Sequence, residues 1–120
     1  MKTKLLGSFG EEKAVRHLRK NGYTIIDLNF SSRFGEIDII AAKGRILAFV
    51  EVKMRKDDHF AAAREFVDYR KQQRIKTTAQ IWLSVNEPEA DLQPRFDVCE
   101  VYASDVKDKN FKLNYIENAF

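Results

Sequence analysis

Cysteine occurs once in this chain, at Cys99, which removes both a disulfide framework and a cysteine-rich zinc site from consideration. Proline is almost as scarce: only Pro88 and Pro94 are present, and they bracket a short loop. No apolar run approaches the ~20 residues that a membrane-spanning helix needs. The opening MKTKLL has two leucines between lysine and glycine, too little for the apolar region of a signal peptide. A cytoplasmic address follows as the default expectation. Internal repeats, low-complexity tracts and Gly/Ser linkers are also missing, so residues 1–120 are read as a single domain.

What is present suits a packed core. The 44% hydrophobic and 12% aromatic content belongs to a globular chain, not a disordered one. A net charge of +3 conceals an uneven distribution. Residues 1–22 carry six Lys/Arg against two acids, residues 53–76 eight against four, and residues 87–120 four against eight. Two basic stretches on one face would suit a polyanion such as nucleic acid; on charge alone, solvated helix faces are the favoured reading.

Ser8 followed by Glu11 has the spacing of a capping box, opening a helix that carries Ala14, Val15 and Leu18 and ends at Asn21-Gly22. YTIIDLNF (23–30), EIDIIA and ILAFVEVK read as three strands, the last two joined across Lys43-Gly44. Residues 59–83 lack Gly and Pro and repeat Ile75, Ala79, Trp82 and Leu83 at helical spacing, with a potential break near Asp68. RFDVCEVYA (95–103) and FKLNYIE (111–117) are the final strands. The order α-β-β-β-α-β-β predicts an α/β fold, a mixed sheet flanked by helices.

A two-residue turn at Lys43-Gly44 sets Asp38 opposite Phe49 and Glu51 opposite Glu36. Alternation then gathers Glu36, Asp38, Glu51 and Lys53 on one face, with Ile37, Ile39, Ala48, Val50 and Val52 on the other. Asp38 and Glu51 become diagonal neighbours, ~7–8 Å apart at the backbone. Two carboxylates that close repel, and a hard divalent cation reverses the sign of that energy. Mg²⁺ typically takes one or two carboxylates and keeps waters for a phosphate substrate. The Val52 carbonyl offers a further oxygen, and Lys53 would stand beside the attacking water. Alternating surface charges, with Lys53 paired to Glu51 for ~0.2–1 kcal/mol, satisfy the same pattern.

Asp38, then Glu51-Val52-Lys53, matches the D…(D/E)-x-K signature of the restriction-endonuclease-like nuclease superfamily; Ile37 stands where the nominal motif has proline. GEIDII, FVEVKMR, Gly10-Glu11, Lys71, Ala79, RFDV (95–98) and the terminal NAF together resemble the YraN-like family of small bacterial predicted endonucleases. The resemblance covers essentially the whole chain and extends, more distantly, to archaeal Holliday-junction resolvases. It implies a restriction-endonuclease-like fold and a Mg²⁺- or Mn²⁺-dependent endonuclease acting on nucleic acid. DNA is favoured, with branched substrates and a homodimer among its implications. Carried over by position, Asp38 and Glu51 (with Val52) are metal ligands, Lys53 is the catalytic lysine, and Glu11 is the first-helix acid that approaches the metal. Glu36 and Gln73 would support the site, and Arg33, Arg55, Lys56, Lys71 and Arg74 would contact phosphates; ordinary surface is the alternative for Arg33, and a solvated helix face for Lys71 and Gln73. A module that keeps the fold and binds nucleic acid or protein without cutting is the rival expectation.

The remaining candidates read more plainly. His17 and His59 have no metal-ligand spacing and suit surface roles; Trp82 and Cys99 suit the core. NYIENAF at the end is either an interface or a packed tail.

Overall fold

The central strands of this protein are apolar on both sides, which demands a covering layer above and below the sheet. The computed structural model describes residues 5–56, 68–88 and 91–120. Its elements are α1 (Leu5–Lys20), β1 (Thr24–Ser32), β2 (Gly35–Lys43), β3 (Ile46–Arg55), α2 (Tyr69–Asn86), β4 (Gln93–Tyr102) and β5 (Lys112–Ile116), the order read from the sequence. The strands form a five-stranded sheet in the order β1-β2-β3-β4-β5. The β3–β4 pair is parallel, reached by a crossover through α2, and the other pairs are antiparallel.

Alternation along each strand divides the core between the helices. Ile39, Ala41, Ala48, Val50, Cys99 and Val101 pack under Ala14 and Leu18 of α1. Ile40, Leu47, Phe49 and Val98 pack under Ile75, Ala79 and Trp82 of α2. Cys99 is a buried thiol whose pKa burial pushes up to about 12, an inert hydrophobe as expected. Trp82 is likewise core; its indole N–H donates to Asp27 Oδ2 at 3.0 Å. The expected helix over 59–83 is seen from Tyr69 onward, capped by Asp68, whose Oδ1 accepts from Lys71 N–H at 2.8 Å. Its earlier part, with His59, lies outside the described residues.

Several local expectations are corrected. Helix α1 begins at Leu5, so Ser8 sits inside it and no capping box engages Glu11. Its end is as read: Tyr23 N–H returns to Leu18 O and Gly22 N–H to Arg19 O, with Gly22 at φ +92°. The β2–β3 turn is centred on Gly44-Arg45, because Lys43 pairs with Ile46. Glycine at φ +59° fits the first central position of a tight hairpin turn, not the second. This moves the register by two residues, which preserves the faces but changes who is opposite whom. Pro94 lies within β4, at its start, where β5 does not yet pair. Among the described residues, helices α1 and α2, which carry basic residues from the two stretches, pack on opposite faces of the sheet.

Ile37 was expected beside Ile39 but is buried on the α2 side instead. Asn29, in β1 between the pairs Leu28↔Ile39 and Phe30↔Ile37, takes a left-handed φ of 54°. That residue breaks the strict alternation of both strands at Asp38. Ile37 and Phe30 consequently turn together toward α2.

The motif fragments RFDV and NAF are one structural unit. Asp97, fully buried, accepts from Arg95 Nε (2.9 Å), Tyr115 Oη (2.6 Å) and Asn118 N–H (2.9 Å). Ala119 N–H reaches Phe96 O at 2.7 Å, and the Phe120 and Phe96 rings stack at 5.4 Å. The chain end is therefore a packed tail. His17 stacks on Tyr115 at 5.4 Å, and burial and Lys20 lower its pKa, so it is not the plain surface residue expected.

Removing the Asp97 carboxylate strands the partly buried Arg95 guanidinium. Asp97→Ala is expected to lower the free energy of urea unfolding by about 3–5 kcal/mol, as for one half of a buried ion pair. Asp97→Asn, which keeps an acceptor, should lose less. A midpoint shift of equal size in both variants would mean that the charge contributes nothing.

Candidate active site

The β2–β3 ladder runs from Lys43↔Ile46 to Ile39↔Val50 and stops. The next residues are Asp38 and Glu51, which the observed register sets opposite one another instead of diagonally. Beyond the last pair, Val52 N–H donates to Asp38 Oδ2 at 2.8 Å. A side chain thus takes the hydrogen bond of a parting strand, which fixes the Asp38 carboxylate between the two backbones.

Glu51 points to the α2 side and is nearly buried. Its Oε2 accepts from Lys71 Nζ at 2.7 Å. Lys71 stands in the first turn of α2, where the Asp68 cap fixes the start of the helix. Lys53, two residues beyond Glu51 and so on the same face of β3, has its side chain close to that of Lys71. Burial works to lower the Lys71 pKa, but the bond to Glu51 and the fields of Glu51 and Asp38 outweigh it and hold it above its ordinary value.

Electrostatics single out Asp38. Burial first, and then repulsion from Glu51, lift its pKa from 3.8 to about 7. The Val52 N–H opposes this, while Glu11 and Glu36 add smaller repulsions. The carboxylates around Asp38 therefore come from three elements: β3, α1 and the start of β2. Glu11, which has no capping role, is held by Asn29, whose Nδ2 donates to its Oε1 at 3.1 Å.

The donor set is hard oxygen, its central acid is uncomfortable when ionised, and a cation placed between Asp38 and Glu51 would reverse that penalty. The residues fit a divalent ion with Asp38, Glu51 and the Val52 carbonyl as its protein ligands. Among the described residues no three acidic, histidine or cysteine side chains converge closely enough to cage an ion alone.

The expected phosphate contacts separate into groups. Arg74 lines a groove of about 370 Å³ together with Phe34, Glu36, Arg70 and Lys71, and Arg33 stands at the adjoining β1–β2 turn. Lys56 is exposed just past the end of β3. Arg55 does not belong with them: its Nη2 pairs with the buried Glu100 at 3.3 Å, where it serves as a counter-charge. Gln73 is also displaced from its expected role, since it lies with Thr77, Gln80 and Ser84 on the exposed side of α2. The helix phase turns Lys71 inward and Gln73 outward, a rotation of ~200° over two residues. Sequence reading missed Asn29 and Arg70. The only signal for Asn29 was a lone amide in an otherwise strand-forming run.

Because the folded-state pKa of Asp38, about 7, lies above its ordinary 3.8, folding is most favoured when this group is protonated. Stability of the metal-free protein should therefore fall as pH rises between those two values. Asp38→Asn is expected to remove that fall, melting higher than wild type at pH 8 in chelator and no higher at pH 4. Millimolar Mg²⁺ should raise the melting temperature of wild type at pH 8 and leave Asp38→Asn unmoved. Parallel melting curves for the two proteins across this range would overturn the assignment.

Comparison with known proteins places the chain. The model of "Uncharacterised protein family UPF0102" matches residues 10–101. A UPF0102 protein of Alkaliphilus oremlandii is 43% identical over 118 residues, covering 98% of both chains. One from Caldicellulosiruptor saccharolyticus is 41% identical over 120 residues and covers both chains completely. Among solved structures, the fold is similar to Archaeoglobus fulgidus Hjc, a Holliday junction resolvase from an archaeal hyperthermophile. That likeness has a TM-score of 0.53 and 20% identity, spanning 89% of this chain and 72% of the other. The sheet and its flanking helices thus form a restriction-endonuclease-like fold, and the protein belongs to the UPF0102 family.

Proposed function

We propose that this protein is a metal-dependent endonuclease that hydrolyses phosphodiester bonds of DNA, with branched DNA among its substrates. The observation that carries this reading is the apposition of Asp38 and Glu51 where β2 and β3 part, with Lys53 and Lys71 on the same side. The fold shared with a junction resolvase supports it as fold-level analogy.

Asp38, Glu51 and the Val52 carbonyl would hold Mg²⁺ or Mn²⁺, which when bound supplies a Lewis acid for the phosphate oxygens. The chain's own residues do the rest. Lys53 Nζ orients the attacking water, takes part in moving its proton, and offsets negative charge gathering on the phosphate. Lys71 holds Glu51 in place through its 2.7 Å bond and keeps a positive charge beside the reacting group. Asn29 holds Glu11 near Asp38 from the α1 side. Arg70 and Arg74 fix the backbone of the nucleic acid along the groove without reading its sequence.

The test is a cleavage assay on end-labelled single-stranded, duplex, flapped and four-way-junction DNA and on RNA, with Mg²⁺, Mn²⁺ or chelator. Metal-dependent cutting is expected, reduced by about 10²–10⁴-fold in Lys53→Ala. Binding without cutting, unchanged in Lys53→Ala, would make the protein a non-catalytic module instead.

A further inference from the structure

The β1–β2 turn carries an exposed aromatic at the mouth of the basic groove. Phe34 is 43% exposed, and Tyr69, at the first position of α2, is 73% exposed. Exposed rings of this size are costly to leave in water, and among the described residues neither ring belongs to either core. The Arg33 guanidinium lies over the Phe34 ring, 5.0 Å from its centre. Arg70, Lys71 and Arg74 line the groove beside Phe34, against two acids, Glu36 and Asp68. The Asp68 carboxylate is already engaged as the cap of α2.

The turn is rigidly mounted. Phe34 N–H donates to Ser32 Oγ at 3.0 Å, and Ser32 Oγ lies 2.9 Å from Oγ1 of the buried Thr78. Gly35 rests so closely on α2 that an added Cβ would stand 3.4 Å from both Arg74 and Thr78. The backbone that carries the ring is therefore anchored on α2 beside Arg74. Lys71 connects that position to the site, because it lines the groove and bonds Glu51.

From this juxtaposition we infer that Arg33-Phe34 is a base-stacking platform, and that the nucleic acid taken by the groove has an unpaired base next to the bond at the site. The inference rests on the nuclease reading for the identity of the ligand and deepens it by naming the substrate feature. Cationic groups at intervals along a groove match successive phosphates, and an aromatic face among them matches a base. In a continuous duplex each base face is covered by its neighbours, so an exposed ring can stack only on a base at an end, gap, flap or single-stranded stretch. Arg33 adds a second planar surface on the ring and a positive charge toward the backbone.

Fluorescence anisotropy in chelator separates this from cleavage. The probes are a labelled single strand with one 2-aminopurine and the duplex made from it, at low salt. The wild type is expected to bind the single strand more tightly than the duplex and to quench 2-aminopurine. Phe34→Leu should weaken single-strand binding by about tenfold and leave duplex binding unchanged, while Phe34→Trp retains both affinity and quenching. Arg74→Glu should weaken both probes alike, as loss of a phosphate contact does. Single-strand affinity unchanged in Phe34→Leu would overturn the inference, as would failure of the wild type to bind either probe. Stacking by a wild type that never cuts any substrate would sink the nuclease reading while the platform stands.

Discussion

Two acids that repel each other are held face to face because the sheet stops being a regular ladder between them. Asp38 and Glu51 stand just past the last pair of β2 and β3, and the Val52 N–H closes on Asp38 Oδ2 at 2.8 Å. A continued ladder would have given that amide a backbone partner and sent the Asp38 side chain to one face. The left-handed Asn29 across from Asp38 is the other half of the same break, and it also turns Ile37 and Phe30 toward α2. Around this point a hydrophobic core stands on each face of the sheet. The stability they provide is what permits a locally unfavourable cluster of negative charge.

The compensation for that cluster is graded by distance. Lys71 meets Glu51 directly, Lys53 lies beside Lys71, and the arginines of the groove stand farther out. Such an arrangement sets positive charge beside the carboxylates on the α2 side. Charged residues away from this point serve the fold instead. Arg95 is committed to Asp97, and Arg55 to Glu100, whose carboxyl stays below its usual pKa: burial opposes this, but the bonds from Asn114, Tyr102 and Arg55 prevail. Basic residues of similar appearance in the sequence thus belong to two unrelated tasks.

Motifs divide in the same manner. GEID and EVK meet at the parting strands, whereas RFDV and NAF meet at Asp97, where they tie the chain end to β4 through Asn118 and Phe120. Both pairs are close contacts between segments distant in sequence. One gathers groups that repel; the other holds a buried carboxylate in hydrogen bonds and is useful to packing.

The sequence by itself determined the order of elements and the placement of the core. Period-two alternation in residues 36–53 and the helical spacing of Ile75, Ala79 and Trp82 depend on local geometry that hydrophobic burial rewards wherever it occurs. It also determined that Glu51 and Lys53 share a side, since period-two alternation within one strand does not depend on register. Only the tertiary structure decided who faces whom. Gly44 had to take the first turn position, which replaced a diagonal Asp38–Glu51 pair with an opposed one. Only the packing of α2 on the sheet, through the phase of its apolar stripe, chose Lys71 over Gln73 for the site. And only the start of α1 at Leu5 released Glu11 from a cap to meet Asn29. Each decision depends on contacts between segments far apart in the chain, and no local periodicity encodes them.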